Sequence, residues 1–239
     1  MTDAHTTTSG VTSPTNSLAA VAALGSVLWV VGEFAIRQGL TRPLADLPGF
    51  GEVAPIATLA LTGVVLAPLV AVLGTRVGID PADWELSLSK RGVVAAVATL
   101  PAYYVFIIAA SAVAAAVFGI DPAAGTRGFW AAELSTGALV ALVAVNGVLG
   151  PIAEEIAWRG VVQTALTDAF GALAGIALTA VVFAAKHVVV DLGATPMRVA
   201  TLLFLAFAWG VLRHRYGTGS AMIAHVLANT TATASLLFV

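Results

Sequence analysis

The sequence predicts an all-α, polytopic transmembrane helix bundle of about seven spans, with seven to eight as the bounds. Two observations carry this. Hydrophobic residues fill 59% of the 239 positions and charged residues 10%, against about 45–50% and about 25% in a soluble domain. Apolar runs close to the ~20 residues that a spanning helix needs also recur along the chain. So few charges cannot cover a soluble surface.

Residues 1–17 are polar, rich in Thr and Ser, and carry no Lys or Arg. They lack the basic start of a cleaved signal peptide, so they read as a disordered polar tail before a retained first span. The apolar runs are Leu18–Ile36, Val53–Gly74, Gly92–Phe118, Leu134–Ala153, Ala172–Val190, Val199–Leu212 and Ser220–Val239. The sixth is short, and the fourth is expected to run on as one long helix towards Phe170. This divides the chain into the tail 1–17, N-terminal spans over 18–133, and a C-terminal core over 134–239.

The loops are brief. Arg76–Arg91 holds Asp80, Asp83, Trp84 and Glu85, and Gly119–Glu133 holds Asp121, Pro122, Arg127 and Trp130. Trp84 and Trp130 suit the interfacial aromatic belt. Loops this small place any function in the membrane or at its edge. With a cytoplasmic N-terminus, Arg76, Lys90, Arg91, Arg159, Arg213 and Arg215 lie inside, against Arg37, Arg42, Arg127 and Arg198 outside. That excess favours N-inside, in a multi-pass protein of the cell membrane.

Eleven basic residues against thirteen acidic ones leave no basic surplus for a nucleic-acid backbone. The absence of cysteine excludes disulfides, thiol nucleophiles and Cys-ligated metal.

Ionisable groups inside spans are costly and mark function. Those present are Glu33, Glu154, Glu155, Arg159, Lys186, His187 and His225, with Asn229 beside them. Glu155 and Arg159 are i,i+4 neighbours in the favourable order. Arg159 is expected to hold Glu155 ionised. Glu154 then faces elsewhere, free to rise towards neutrality and act as a general base. Phe183 and His187 share a helix face, as do His225 and Asn229. Asp191 is expected to pair with Lys186. Taken singly, each cluster also suits a charged helix end or interhelical hydrogen bonding.

Spacing links them. Gly171 is a hairpin point, with Glu154 17 residues before it and His187 16 after. Both then sit about 24–26 Å along antiparallel helices and level in the bilayer. The Gly171-Ala-Leu-Ala-Gly175 pattern allows close packing. His225 lies about 10 Å from the Arg213–Gly219 loop and reads as shallower. Other hydrolase signals are missing. There is no His-Glu-x-x-His, no Gly-x-Gly-Asp and no phosphate loop, and the Ser of Gly219-Ser220-Ala221 has His225 out of phase on its own helix.

Three motifs remain, in order: Glu154-Glu155-Ile-Ala-Trp158-Arg159, Phe183-Ala-Ala-Lys186-His187 and His225-Val-Leu-Ala-Asn229. Together they resemble the CPBP intramembrane proteases, the family of CAAX proteases and bacteriocin-processing enzymes also called Abi. The resemblance covers about residues 135–236. Trp158 stands where the family often has another aromatic. The resemblance implies an intramembrane endopeptidase acting on a peptide or protein in or near the membrane. By it, Glu154 activates a water, His187 positions that water or shuttles its proton, and His225 and Asn229 donate to the oxyanion. Glu155, Arg159, Phe183 and Trp158 support them. The family is often called metalloprotease. Zinc or another divalent metal on Glu154, His187 and His225, or no cofactor, both stay open. A scaffold or chaperone for another membrane protein, and a small proton-coupled transporter, are the rival readings of the same polar set.

Overall fold

The computed structural model describes residues 14–119, 134–192 and 194–235, and every regular element among them is helical. The order is α1 (Pro14–Ala45), α2 (Ala54–Thr75), a 3-10 turn (Pro81–Trp84), α3 (Lys90–Phe118), the long α4 (Thr136–Phe170), α5 (Ala172–Val190), α6 (Pro196–Tyr216) and α7 (Thr218–Ala234). Six of the seven described helices are long and apolar enough to cross a membrane, and α7 has 17 residues. The protein is an integral, multi-pass membrane protein.

Three expectations shift. Helix α1 begins at Pro14, so the end of the supposed tail is helical. The sixth span is full length, because Pro196 at the first helical position and the Thr195 side chain, which accepts from Arg198 N, start it early. Trp84, expected in the aromatic belt, packs its ring on Gly160 of α4. Trp130, Asp121, Arg127 and His5 lie outside the described residues.

The long α4 forms as expected but is not uniform. Val143–Leu149 and Ile156–Gln163 are π-helical, separated by a single α segment, Gly150–Glu155. Pro151 lacks a backbone N–H. It therefore leaves without a donor the carbonyls it would serve, Asn146 O in π register and Gly147 O in α register. Helix α7 supplies both donors: Asn229 Nδ2 to Asn146 O at 3.1 Å and Thr230 Oγ1 to Gly147 O at 3.1 Å. Where α4 leaves its second π segment, Thr164 Oγ1 bonds Gly160 O at 2.8 Å.

Helices α4 and α5 are joined by Gly171 alone, and α6 and α7 by Gly217 alone. Both glycines have φ near +86° and ψ near 163°, a conformation that is essentially glycine-only. Gly175 then lies so close to Thr167 that a Cβ would overlap its backbone, as the small-residue pattern predicts. Ser135 caps the start of α4, and Glu52 accepts from its N–H and hydroxyl at 2.8 Å each. The Ser135 backbone N–H, then its hydroxyl, hold the Glu52 carboxyl below its usual range.

The core is built on three fully buried tryptophans, Trp29, Trp158 and Trp209, with Phe183 between the last two. Trp29 meets Trp158 edge to face at 6.3 Å, which locks α1 onto α4. Apolar side chains such as Val94, Val105 and Ile108 stay outside, as they should where lipid is the solvent.

Candidate active site

The site lies where α1, α4, α5, α6 and α7 meet. Glu155 and Arg159 are entirely buried and pair at 3.0 Å, as expected from their spacing. Arg159 also donates to Ala206 O at 3.2 Å and places its guanidinium 4.7 Å over the Phe183 ring. His225 Nδ1 meets Glu155 Oε1 at 2.8 Å, and its ring stacks on Trp209 at 3.7 Å. A carboxylate only accepts, so this contact sets Nδ1 as the protonated nitrogen. His225 Nε2 then faces Glu154 Oε2 at 3.6 Å.

His225 is thus not shallow. The expectation put the Gly171 and Gly217 turns at one depth. Hydrogen bonds from Arg159 to Ala206 O, Gln163 to Gly210 O and Arg213 to Thr164 Oγ1 show α6 running parallel to the end of α4. Arg213 is four residues before its turn, whereas Thr164 is seven before Gly171. The α6–α7 turn is drawn inward by this offset, about 4–5 Å of helix rise, which covers part of the expected difference in depth.

Glu154 is not free. Its Oε1 accepts from Lys186 Nζ at 2.7 Å, and the same ammonium donates to Glu33 Oε2 on α1 at 2.8 Å. Lys186 therefore does not pair with Asp191 as expected. The reason is helical phase. Lys186 turns into the bundle and is 1% exposed, while Asp191, just past the end of α5, reaches His187, Arg37 and Arg198. The level placement of Glu154 with the Lys186–His187 turn is borne out by that 2.7 Å contact.

Phe183 and His187 share a face, with ring centroids 5.4 Å apart. His187 Nδ1 lies 3.2 Å from Asp191 Oδ2, and its Nε2 is enclosed without a partner among the described residues. Burial would raise the Asp191 carboxyl. The hydrogen bond and charge of His187, with Arg198 and Arg37, outweigh it and hold the group far below the usual carboxylate range.

Asn229 shares the α4-facing side of α7 with His225, and one amide hydrogen goes to Asn146 O. Trp158 is fully buried against Phe183. Ser220 is buried and donates to Tyr216 O, away from any histidine, which matches its rejection as a nucleophile.

The sequence left two participants without a role: Glu33, which is the second partner of Lys186, and Trp209. Glu33 carried a signal, since a carboxylate inside a span needs a counter-charge. Trp209 carried none. Among the described residues no group of three or more His, Asp or Glu side chains is placed to hold a metal ion. Glu154, His187 and His225 do not form such a set, and the Lys186 ammonium already occupies one Glu154 oxygen.

Membrane-length helices close around a cluster of two histidines, three glutamates, a lysine and an arginine, and this defines the class as a multi-pass membrane protein with an ionisable interior. Residues 136–231, from the first turn of α4 to the last turns of α7, match the family model of type II CAAX prenyl endopeptidase Rce1-like proteins. This stretch holds all three motifs and is consistent with the CPBP/CAAX protease family. No curated protein and no solved structure matches the chain.

Proposed function

We propose that the protein hydrolyses a peptide bond with a water activated by Glu154. One observation carries the reading. Each imidazole has one nitrogen committed to a carboxylate, His225 to Glu155 and His187 to Asp191. This leaves His225 Nε2 turned to Glu154 and His187 Nε2 without a partner among the described residues.

The 3.6 Å between His225 Nε2 and Glu154 Oε2 is long for a direct hydrogen bond, and both atoms can bind one water set off the line between them. Glu154 takes a proton from that water as it attacks the carbonyl carbon. Lys186 holds the other carboxylate oxygen and so orients the base. In its imidazolium form His225 gives Nδ1–H to Glu155 and Nε2–H to the carbonyl oxygen. The second amide hydrogen of Asn229 is the further donor. One such donor is worth about 2.7–4 kcal/mol of barrier. Proton return to the leaving amine runs from Glu154, with His187 as shuttle. No step is routed through a metal, since the donor set does not fit one. The N-inside orientation and a cell-membrane location belong to this same proposal.

The test is Glu154→Gln, purified in detergent and assayed on prenylated C-terminal peptides and on leader peptides. Loss of a general base lowers cleavage by about 10²–10⁴-fold, with cooperative unfolding retained. A variant that cuts as fast as wild type overturns the assignment. Proton or solute flux in liposomes that depends on Glu154, with no cleavage, would move the protein to the transporter reading.

A further inference from the structure

The end of the bundle marked by the Gly171 and Gly217 turns holds a cleft of about 460 Å³, remote from Glu154. Leu18 of α1, Asp83 and Glu85 beside the 3-10 turn, and Asp168 and Arg213 at the ends of α4 and α6 line it. Arg213 is the floor. It is 7% exposed, donates from Nη2 to Thr164 Oγ1 at 2.8 Å, and keeps an enclosed Nε with no partner. No carboxylate among the described residues forms an ion pair with it. A buried guanidinium without an ion pair is costly, and Arg213 lines this cleft.

The rim has the opposite sign. Asp83, Glu85 and Asp168 are all exposed. Glu85 is held in a left-handed conformation, φ 52°, with its carbonyl accepting from Gly219 N at 3.3 Å. A non-glycine residue there is strained and persists only where its surroundings require it.

We propose that this cleft binds a phosphate ester that also carries a primary ammonium, the zwitterion of an ethanolamine phospholipid headgroup. The phosphate meets Arg213 at the floor, and the ammonium meets the Asp83, Glu85 and Asp168 rim. A purely anionic headgroup would face three carboxylates for one guanidinium. A choline headgroup has the charges but no N–H to donate to the rim. Interhelical turns of a membrane bundle lie at headgroup depth, and Leu18 offers an apolar wall for the start of the acyl chains. This favours the lipid over a soluble phosphoethanolamine as the source.

The experiment uses the full chain in detergent micelles doped with phosphatidylethanolamine, phosphatidylglycerol or phosphatidylcholine, read by native mass spectrometry. We expect phosphatidylethanolamine to be retained about tenfold over the others, the scale of one charge-assisted hydrogen bond. Arg213→Lys removes the fork and lowers retention by a similar factor. Because Arg213 is buried, the Glu85→Gln/Asp168→Asn double variant, altered only at exposed side chains, is the second arm. It keeps the fold and removes the preference over phosphatidylglycerol. Equal retention of all three lipids, or a preference unchanged in the double variant, overturns the proposal. Displacement by soluble phosphoethanolamine sustains the site and makes the headgroup sufficient, whereas resistance to it assigns the bilayer as the source. Neither readout depends on peptidase activity.

Discussion

Replacing Lys186 by Met tests the buried ammonium that bridges two carboxylates. The ammonium sits 2.8 Å from Glu33 and 2.7 Å from Glu154, with its side chain at 0% exposure and theirs at 3% and 15%. Met has similar length and no charge, so packing is largely kept while two carboxylates are left facing each other. Removing one partner of a buried pair costs about 3–5 kcal/mol. Glu154 is partly exposed and recovers some hydration, and Glu33 keeps Arg37 at 3.2 Å and the Trp29 indole at 2.8 Å. Both effects argue for the lower half of that range, about 3–4 kcal/mol. For a chain of this size that is a fall in Tm of roughly 6–16 °C. Thermal unfolding in detergent, followed by tryptophan fluorescence, reads it directly. Glu33→Gln in the Lys186→Met background should return a coupling of at least about 1 kcal/mol, as contacting residues do. A Lys186→Met protein within about 0.5 kcal/mol of wild type, or strictly additive single variants, would refute the reasoning.

Further outcomes follow from other contacts. Gly171→Ala and Gly217→Ala each force a side chain into a glycine-only conformation, at about 1–3 kcal/mol. Gly217→Ala should cost more, because its Cβ would meet Glu85 O at 2.5 Å while nothing lies within 4 Å of the one at Gly171. Differential melting of the two variants checks this. Thr230→Val should cost about 1–3 kcal/mol by leaving Gly147 O without its donor, whereas the exposed Thr75→Val should stay within about 0.5 kcal/mol. Asp191→Asn should destabilise at pH 7. A carboxyl lowered on folding adds stability above its unfolded value of about 3.9 and loses it as pH falls towards the lower folded value. The gap between wild type and Asp191→Asn should therefore narrow below about pH 4, read from melting curves against pH.

Much of the core could be read from the residues because helix periodicity is local. The faces of Glu155 and Arg159, of Phe183 and His187, and of His225 and Asn229 follow from i,i+4 spacing. The level of Glu154 with His187 follows from rise per residue. What failed was tertiary. Lys186 found Glu33, 153 positions away, in place of the near Asp191, since only the assembled bundle shows which face of α5 is inward. The depth of His225 depended on where one helix hairpin slides against another. The π-helical segments left a single trace, Pro151, which identifies a missing donor but not the helices that supply it.

The pairing of α1 with α5 bears on how the chain enters a membrane. In α1, Glu33 and Arg37 are four residues apart and touch at 3.2 Å, so this helix can be inserted with its charges already neutralised by each other. In α5, Lys186 and His187 are followed by Asp191, which balances the ammonium over little more than one turn. When the two helices meet, Glu33 takes Lys186 and Arg37 takes Asp191 at 3.0 Å. Each helix can therefore cross the insertion barrier nearly neutral and add external partners afterwards, with the Glu33–Arg37 pair kept. The ions that would make either helix a poor membrane span alone become the means by which the first helix recognises the fifth.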